Sequence, residues 1–189
     1  MSALRREHRQ VPASRRPRGL QRLAWAATCV PLSLWHWAIA GQRQVPGVHL
    51  RGRCLRLAAR LAWRRSGIPT TVLHMLAFWP FDSTRYIEFD FVWRRLADLN
   101  AGRLLDVSSP RLLPLLLADD RPGLQVDLIH PDADDLALTD RLVDGLPLRP
   151  RVATHALLAE EAGFPAGAFQ AITCISVLEH LPDPAAAIR

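Results

Sequence analysis

The stretch Phe164-Pro-Ala-Gly-Ala-Phe-Gln-Ala-Ile-Thr-Cys-Ile-Ser-Val-Leu-Glu-His-Leu-Pro-Asp-Pro184 holds a turn, an apolar run and a polar end within 21 residues. Pro165 and Gly167 punctuate its start, and Ala171 to Val177 is an almost unbroken small or β-branched run that Pro182 closes. Such a run predicts a strand covered on both faces, as in a parallel sheet with helices on either side. Glu179 and His180 then fall just past its carboxyl end, the edge where open α/β sheets bind ligands.

Upstream, the same alternation of patterns recurs. Ser83-Thr-Arg-Tyr-Ile-Glu88 offers a helix N-cap, and Ile87, Phe91, Val92, Leu96 and Leu99 follow at helical spacing until Asn100-Ala-Gly102 ends the helix. Arg103-Leu-Leu-Asp-Val107 is a short strand with an acid near its carboxyl end, and Ser109-Pro110 after it predicts an N-cap with proline in the first helical position. Leu112 to Ala118 is the next helix, Leu124 to Ile129 the second strand, Asp134 to Leu142 a helix, and Arg151-Val-Ala-Thr-His155 the third strand. Strands alternating with helices make the fold class α/β, a Rossmann-like doubly wound sheet.

The closing phrase Val177-Leu-Glu-His-Leu resembles the fourth strand of class I S-adenosylmethionine-dependent methyltransferases of the type 11-like branch, with Gln170 standing where that phrase usually has Asp. Arg85-Tyr-Ile-Glu88 is similar to a helix that in many of them precedes the first strand and closes over the cofactor. The resemblance implies S-adenosylmethionine as cofactor, held near Asp106 and the loop at Ser108 and Ser109, and a small-molecule methyl acceptor. It places His130 where the family has an acid that accepts hydrogen bonds from both ribose hydroxyls; a histidine makes one such bond, not two. Asp132, beyond Pro131, substitutes only if the turn folds it back, and is otherwise a surface acid. His180 is the candidate catalytic base. Where the family has a glycine-rich loop this chain has Ser108-Ser-Pro-Arg111, which leaves open both a retained anion site and an inactive fragment. The absence of Gly-x-Gly-x-x-Gly after the first strand argues against a nicotinamide-dependent oxidoreductase. The resemblance covers residues 85 to 189, and the family's domain has seven strands, so about four, an incomplete sheet, are expected here.

Charge divides the chain. Residues 1 to 65 hold 14 Arg and one acid, Glu7, whereas residues 66 to 189 hold 10 Arg and 17 acids, within an overall net charge of +6. Met1 to Leu20 has little to bury. Leu23 to Ala40 is apolar apart from Thr28, Ser33 and His36, and the preceding basic residues resemble a secretory signal, although Pro31 interrupts the run. Val48 to Arg65 places Leu50, Leu57 and Leu61 on one helical face among six Arg, a basic amphipathic helix. The division expected is a basic, partly helical or disordered extension over residues 1–80 and a methyltransferase-like domain over 81–189. An alternative function follows from the charge: a non-catalytic module whose residues 1–65 contact nucleic acid or anionic membrane. Cys29, Cys54 and Cys174 are odd in number and far apart, which indicates neither a disulfide framework nor a metal site and makes a reducing cytoplasm the expected setting.

Overall fold

A computed structural model describes residues 19–177. The helices are α1 (Gly19–Gln42), α2 (Val48–Trp63), α3 (Thr70–Phe78), α4 (Ser83–Arg95), α5 (Leu112–Asp120) and α6 (Ala133–Gly145). The strands are β1 (Ala101–Val107), β2 (Gly123–Ile129), β3 (Val152–His155) and β4 (Ala171–Thr173). All four strands are parallel, in the order β3-β2-β1-β4, so the chain steps outward twice and then crosses back to the other side of β1. This is the α/β doubly wound arrangement that the alternating pattern predicts.

Each strand contributes its residues alternately to two faces. Leu104, with Leu124 and Val126, packs against α5 and α6, while Leu105, Val107 and Ile129 pack beneath the crossover through Leu157, Phe164 and Phe169. Gly102 (φ 104) sits where Gln170 folds over β1; its missing side chain leaves room for the amide, which accepts from the Arg103 N–H.

Four local expectations need correction. The fourth strand ends at Thr173 rather than Val177, because Ser176 turns into the left-handed region (φ 54) and the Ile175 N–H leaves the ladder for the Ser109 hydroxyl. It is not covered on both faces among the described residues, since Ile172 is 63% exposed. The cap of α4 is Asp82, whose Oδ1 accepts from the Arg85 N–H at 2.9 Å. Nor does Ser109-Pro110 cap α5, which begins at Leu112 after an uncapped Arg111.

The expected boundary near residue 80 does not coincide with a break in the core. By compactness the chain divides at Ile39/Ala40. Leu50, Cys54, Leu57 and Leu61 of α2 are buried in one cluster with Leu104, Leu113 and Leu117. The amphipathic face read from the sequence is therefore real, and the domain itself covers it. Gly47 (φ 72) begins α2 against the Tyr86 carbonyl of α4, where no Cβ fits. Beside the buried face, Arg60 Nη1 meets Asp119 Oδ1 at 2.5 Å and Arg53 pairs with Asp120.

If α2 belongs to the core, Leu57→Ala lowers stability by about 2–5 kcal/mol, whereas the exposed neighbour Arg56→Ala changes it by no more than about 0.5 kcal/mol. Urea denaturation of the two variants measures this, and equal small effects would make α2 an accessory helix.

Candidate functional site

The carboxyl ends of β1 and β4 lie side by side where the strand order reverses, and they are joined by side chains as well as by the ladder. Asp106 is fully buried, paired in register with Thr173, and its Oδ1 accepts the Thr173 hydroxyl at 2.6 Å. One residue past the β1 end, Ser108, the backbone turns; at Ser109, itself 5% exposed, the hydroxyl accepts the Ile175 N–H at 3.0 Å. Burial pushes the Asp106 carboxyl from its ordinary 3.8 up to about 6, opposed by the Thr173 hydrogen bond and, at poorer geometry, by Ser109. Its Oδ2 has no hydrogen-bonding partner.

Both strand ends leave through a left-handed serine, Ser108 (φ 50) after β1 and Ser176 (φ 54) after β4. For a residue with a Cβ this conformation costs about 1–2 kcal/mol. Other contacts hold each serine there. Ser108 donates its N–H (2.9 Å) and its hydroxyl (3.3 Å) to the Ile129 carbonyl at the end of β2. Ser176 receives Arg85 Nη1 at 2.6 Å and donates to Glu88 Oε1 at 3.1 Å, while Arg85 also pairs with Glu88. The Arg-Tyr-x-Glu helix is thereby fastened to the β4 end.

Above these strand ends is a cavity of about 560 Å³, within the size range of small-molecule sites. One wall is polar, with Ser108, Ser109, Arg111, His130 and Ser176. The other is apolar and comes from α3 and the turn after it, including Leu76, Trp79 and Phe81; Met75 (60% exposed) and Trp79 (48%) sit at the mouth. Phe81 is wedged edge-on between Tyr86 and Phe89, at centroid distances of 5.2 and 5.0 Å, which seats this turn on α4.

His130 follows β2 and faces the cavity. Its Nδ1 accepts the Asp132 N–H at 3.0 Å, so the neutral ring carries its proton on Nε2, which lies 4.0 Å from Asp135 Oδ2. Asp132 lines the cavity but its carboxylate is used as the α6 cap, accepting from the Asp134 and Asp135 N–H groups at 2.9 and 3.3 Å. Asp132 is thus an exposed acid, as the surface reading expected, and its Oδ1 serves the cap of α6. Arg111, at the start of α5, pairs with Asp135 through Nη2, and its buried Nε has no partner.

Of the residues picked from the sequence, Ser108, Ser109 and His130 line one cavity. Asp106 braces the turn from beneath without reaching the wall. His180 and Glu179 lie outside the described residues. The sequence reading missed Arg111, Ser176 and the apolar wall; the aromatic run Phe78-Trp-Pro-Phe81 was the available signal for that wall.

No family profile matches the chain, and no solved structure does. Curated relatives do match. A ubiquinone biosynthesis O-methyltransferase from Xanthomonas oryzae pv. oryzae is 36% identical over 113 residues, covering 58% of this chain and 45% of the relative. Proteins of the same name from Xanthomonas campestris pv. campestris (36% over 112 residues) and Alkalilimnicola ehrlichii (30% over 111 residues) cover similar shares. The chain spans less than half the length of these relatives.

The Asp106 shift has a direct consequence for stability. Between pH 3.8 and about 6 the folded chain retains a proton that the unfolded chain has released, so this residue's contribution falls as pH rises and is lowest above pH 6. Asp106→Asn does not titrate. Its stability relative to the parent should rise by up to about 3 kcal/mol between pH 4 and pH 7, measured by urea denaturation at both; a difference that does not change with pH would contradict the burial account.

Proposed function

We propose that the chain binds S-adenosylmethionine in this cavity and transfers its methyl group to an oxygen of a small acceptor. The observation that carries the reading is Ser108, which holds the left-handed turn a glycine would favour, at the strand end where the sheet order reverses. The relatives' names supply the reaction class and suggest a ubiquinone precursor as acceptor.

The residues present fit the cofactor with an altered set of contacts. The turn at Ser108 and Ser109 and the start of α5 suit its carboxylate-bearing end, with the unpartnered Nε of Arg111 as an added cation. His130 donates one hydrogen bond from Nε2 to a ribose oxygen, in place of a two-oxygen acceptor. When bound, the cofactor supplies a methyl group activated by its positively charged sulfur. The chain's part is largely positioning, because an in-line displacement is accelerated mainly by alignment. Trp79, Phe81 and Met75 keep water from the reacting side of the cavity. His180 is assigned as the base that takes the acceptor's hydroxyl proton, on the sequence argument alone.

Titration calorimetry and thermal melting with S-adenosylhomocysteine test this reading. At a ligand concentration a hundredfold above Kd the stabilisation is about 2.7 kcal/mol, and Arg111→Gln weakens binding by about tenfold, or ~1.4 kcal/mol. His180→Gln should leave that affinity alone and lower methyl transfer by about a hundredfold or more. The absence of both heat and a shifted melting temperature at 1 mM ligand, roughly the concentration that saturates even a micromolar site, would refute the proposal.

A further inference from the structure

The charge asymmetry of the chain has two structural components with different fates. In α2 the apolar face is buried in the core and Arg53 and Arg60 are paired with Asp120 and Asp119. Helix α1 is different. Leu32, Leu34 and Trp35 are 55%, 44% and 65% exposed, and they project in different directions around the helix. From Leu20 to Gln42 the sequence contains no acid and one Arg, Arg22. Residues 1–18 before it carry six Arg and one acid, and Arg43 follows it.

A helix apolar on all sides is buried in something. Two polyanions complement the flanking arginines, but they differ in what they offer the leucines. A nucleic acid neutralises the arginines through phosphate and leaves Leu32 and Leu34 in water. An anionic bilayer takes both groups: headgroup phosphates meet the arginines, and the acyl boundary receives the apolar side chains. Trp25, Trp35 and Trp37 in the same segment are the residue type enriched at that boundary. Among the described residues no helix is long and apolar enough to cross a membrane.

We propose that α1, with the arginines that flank it, lies in the surface of an anionic membrane and holds the domain there. The proposal is independent of the methyltransferase reading. It excludes α2 as the contacting helix.

Co-sedimentation of the full chain with phosphatidylcholine vesicles, alone or with about one-third phosphatidylglycerol, tests it, since polybasic attraction requires anionic lipid. The parent should bind the anionic vesicles at least tenfold more tightly than the neutral ones and be released by raised salt. The variant Leu32→Ser/Leu34→Ser/Trp35→Ser should lose at least tenfold of that affinity while its melting temperature stays at the parent's value. Should the triple variant melt lower, Trp35→Ser alone serves for the comparison. Undiminished vesicle binding by the variant would overturn the proposal. So would duplex DNA binding that exceeds vesicle binding and is indifferent to the substitutions, or recovery from host cells of a chain cleaved after Ala40, as expected of an export signal.

Discussion

The parallel seam between β1 and β4 is the constraint on which the remaining structure depends. These strands are 60-odd residues apart in sequence, and only three residue pairs join them in the ladder, Leu104–Ala171, Leu105–Ile172 and Asp106–Thr173. So short a ladder is reinforced by three side-chain contacts: Gln170 at its start, Thr173 on the Asp106 carboxylate, and Ser109 on the Ile175 N–H at its end. The last two are buried, where a polar pair costs more to break than it contributes when formed. The seam therefore fixes the gap between the two strand ends, beside which the cavity opens.

Arginine, the only basic side chain apart from histidine in this sequence, finishes several helices in the domain. The acids Asp119 and Asp120 end α5, where the helix dipole already places negative charge, and Arg60 and Arg53 from α2 compensate them. Arg121 donates to the Leu96 and Leu99 carbonyls just past α4, and Arg151 to the Ala118 carbonyl in the last turn of α5. A planar fork with five donors can serve several carbonyls at once. The basic and acidic parts of the sequence are thus partly complementary within the domain, and α2 is where they meet.

The order of strands and helices was legible because apolar period and turn residues report burial directly, and every strand predicted upstream of residue 160 lies within two residues of its observed bounds. The end of β4 was not legible: Ile175 and Val177 are as apolar as a strand requires, and what stops it is a hydrogen bond to Ser109, 66 residues away. The cap at Ser109 failed for the same reason, since that hydroxyl is used across the seam rather than along its own chain. Ser108, Ser109 and His130 were singled out through the family resemblance, and they line one cavity because they follow strand ends, whose position the apolar periodicity located. Arg111 and Ser176 were invisible because their significance comes from partners on α6 and α4. Residues 1–80 looked like an extension because α2 is basic, yet its burial is decided by leucines that the domain covers.

The left-handed turn at residue 108 is where fold and proposed chemistry coincide. Substituting Ser108 separately by glycine and by alanine, and measuring both stability and S-adenosylhomocysteine affinity, tests that coincidence. Glycine should be at least as stable as serine, by up to about 1 kcal/mol, with affinity retained or increased; alanine, which lacks the hydroxyl bonded to Ile129 and keeps the Cβ, should be less stable than either. Glycine proving as destabilising as alanine, or abolishing binding, would contradict the account.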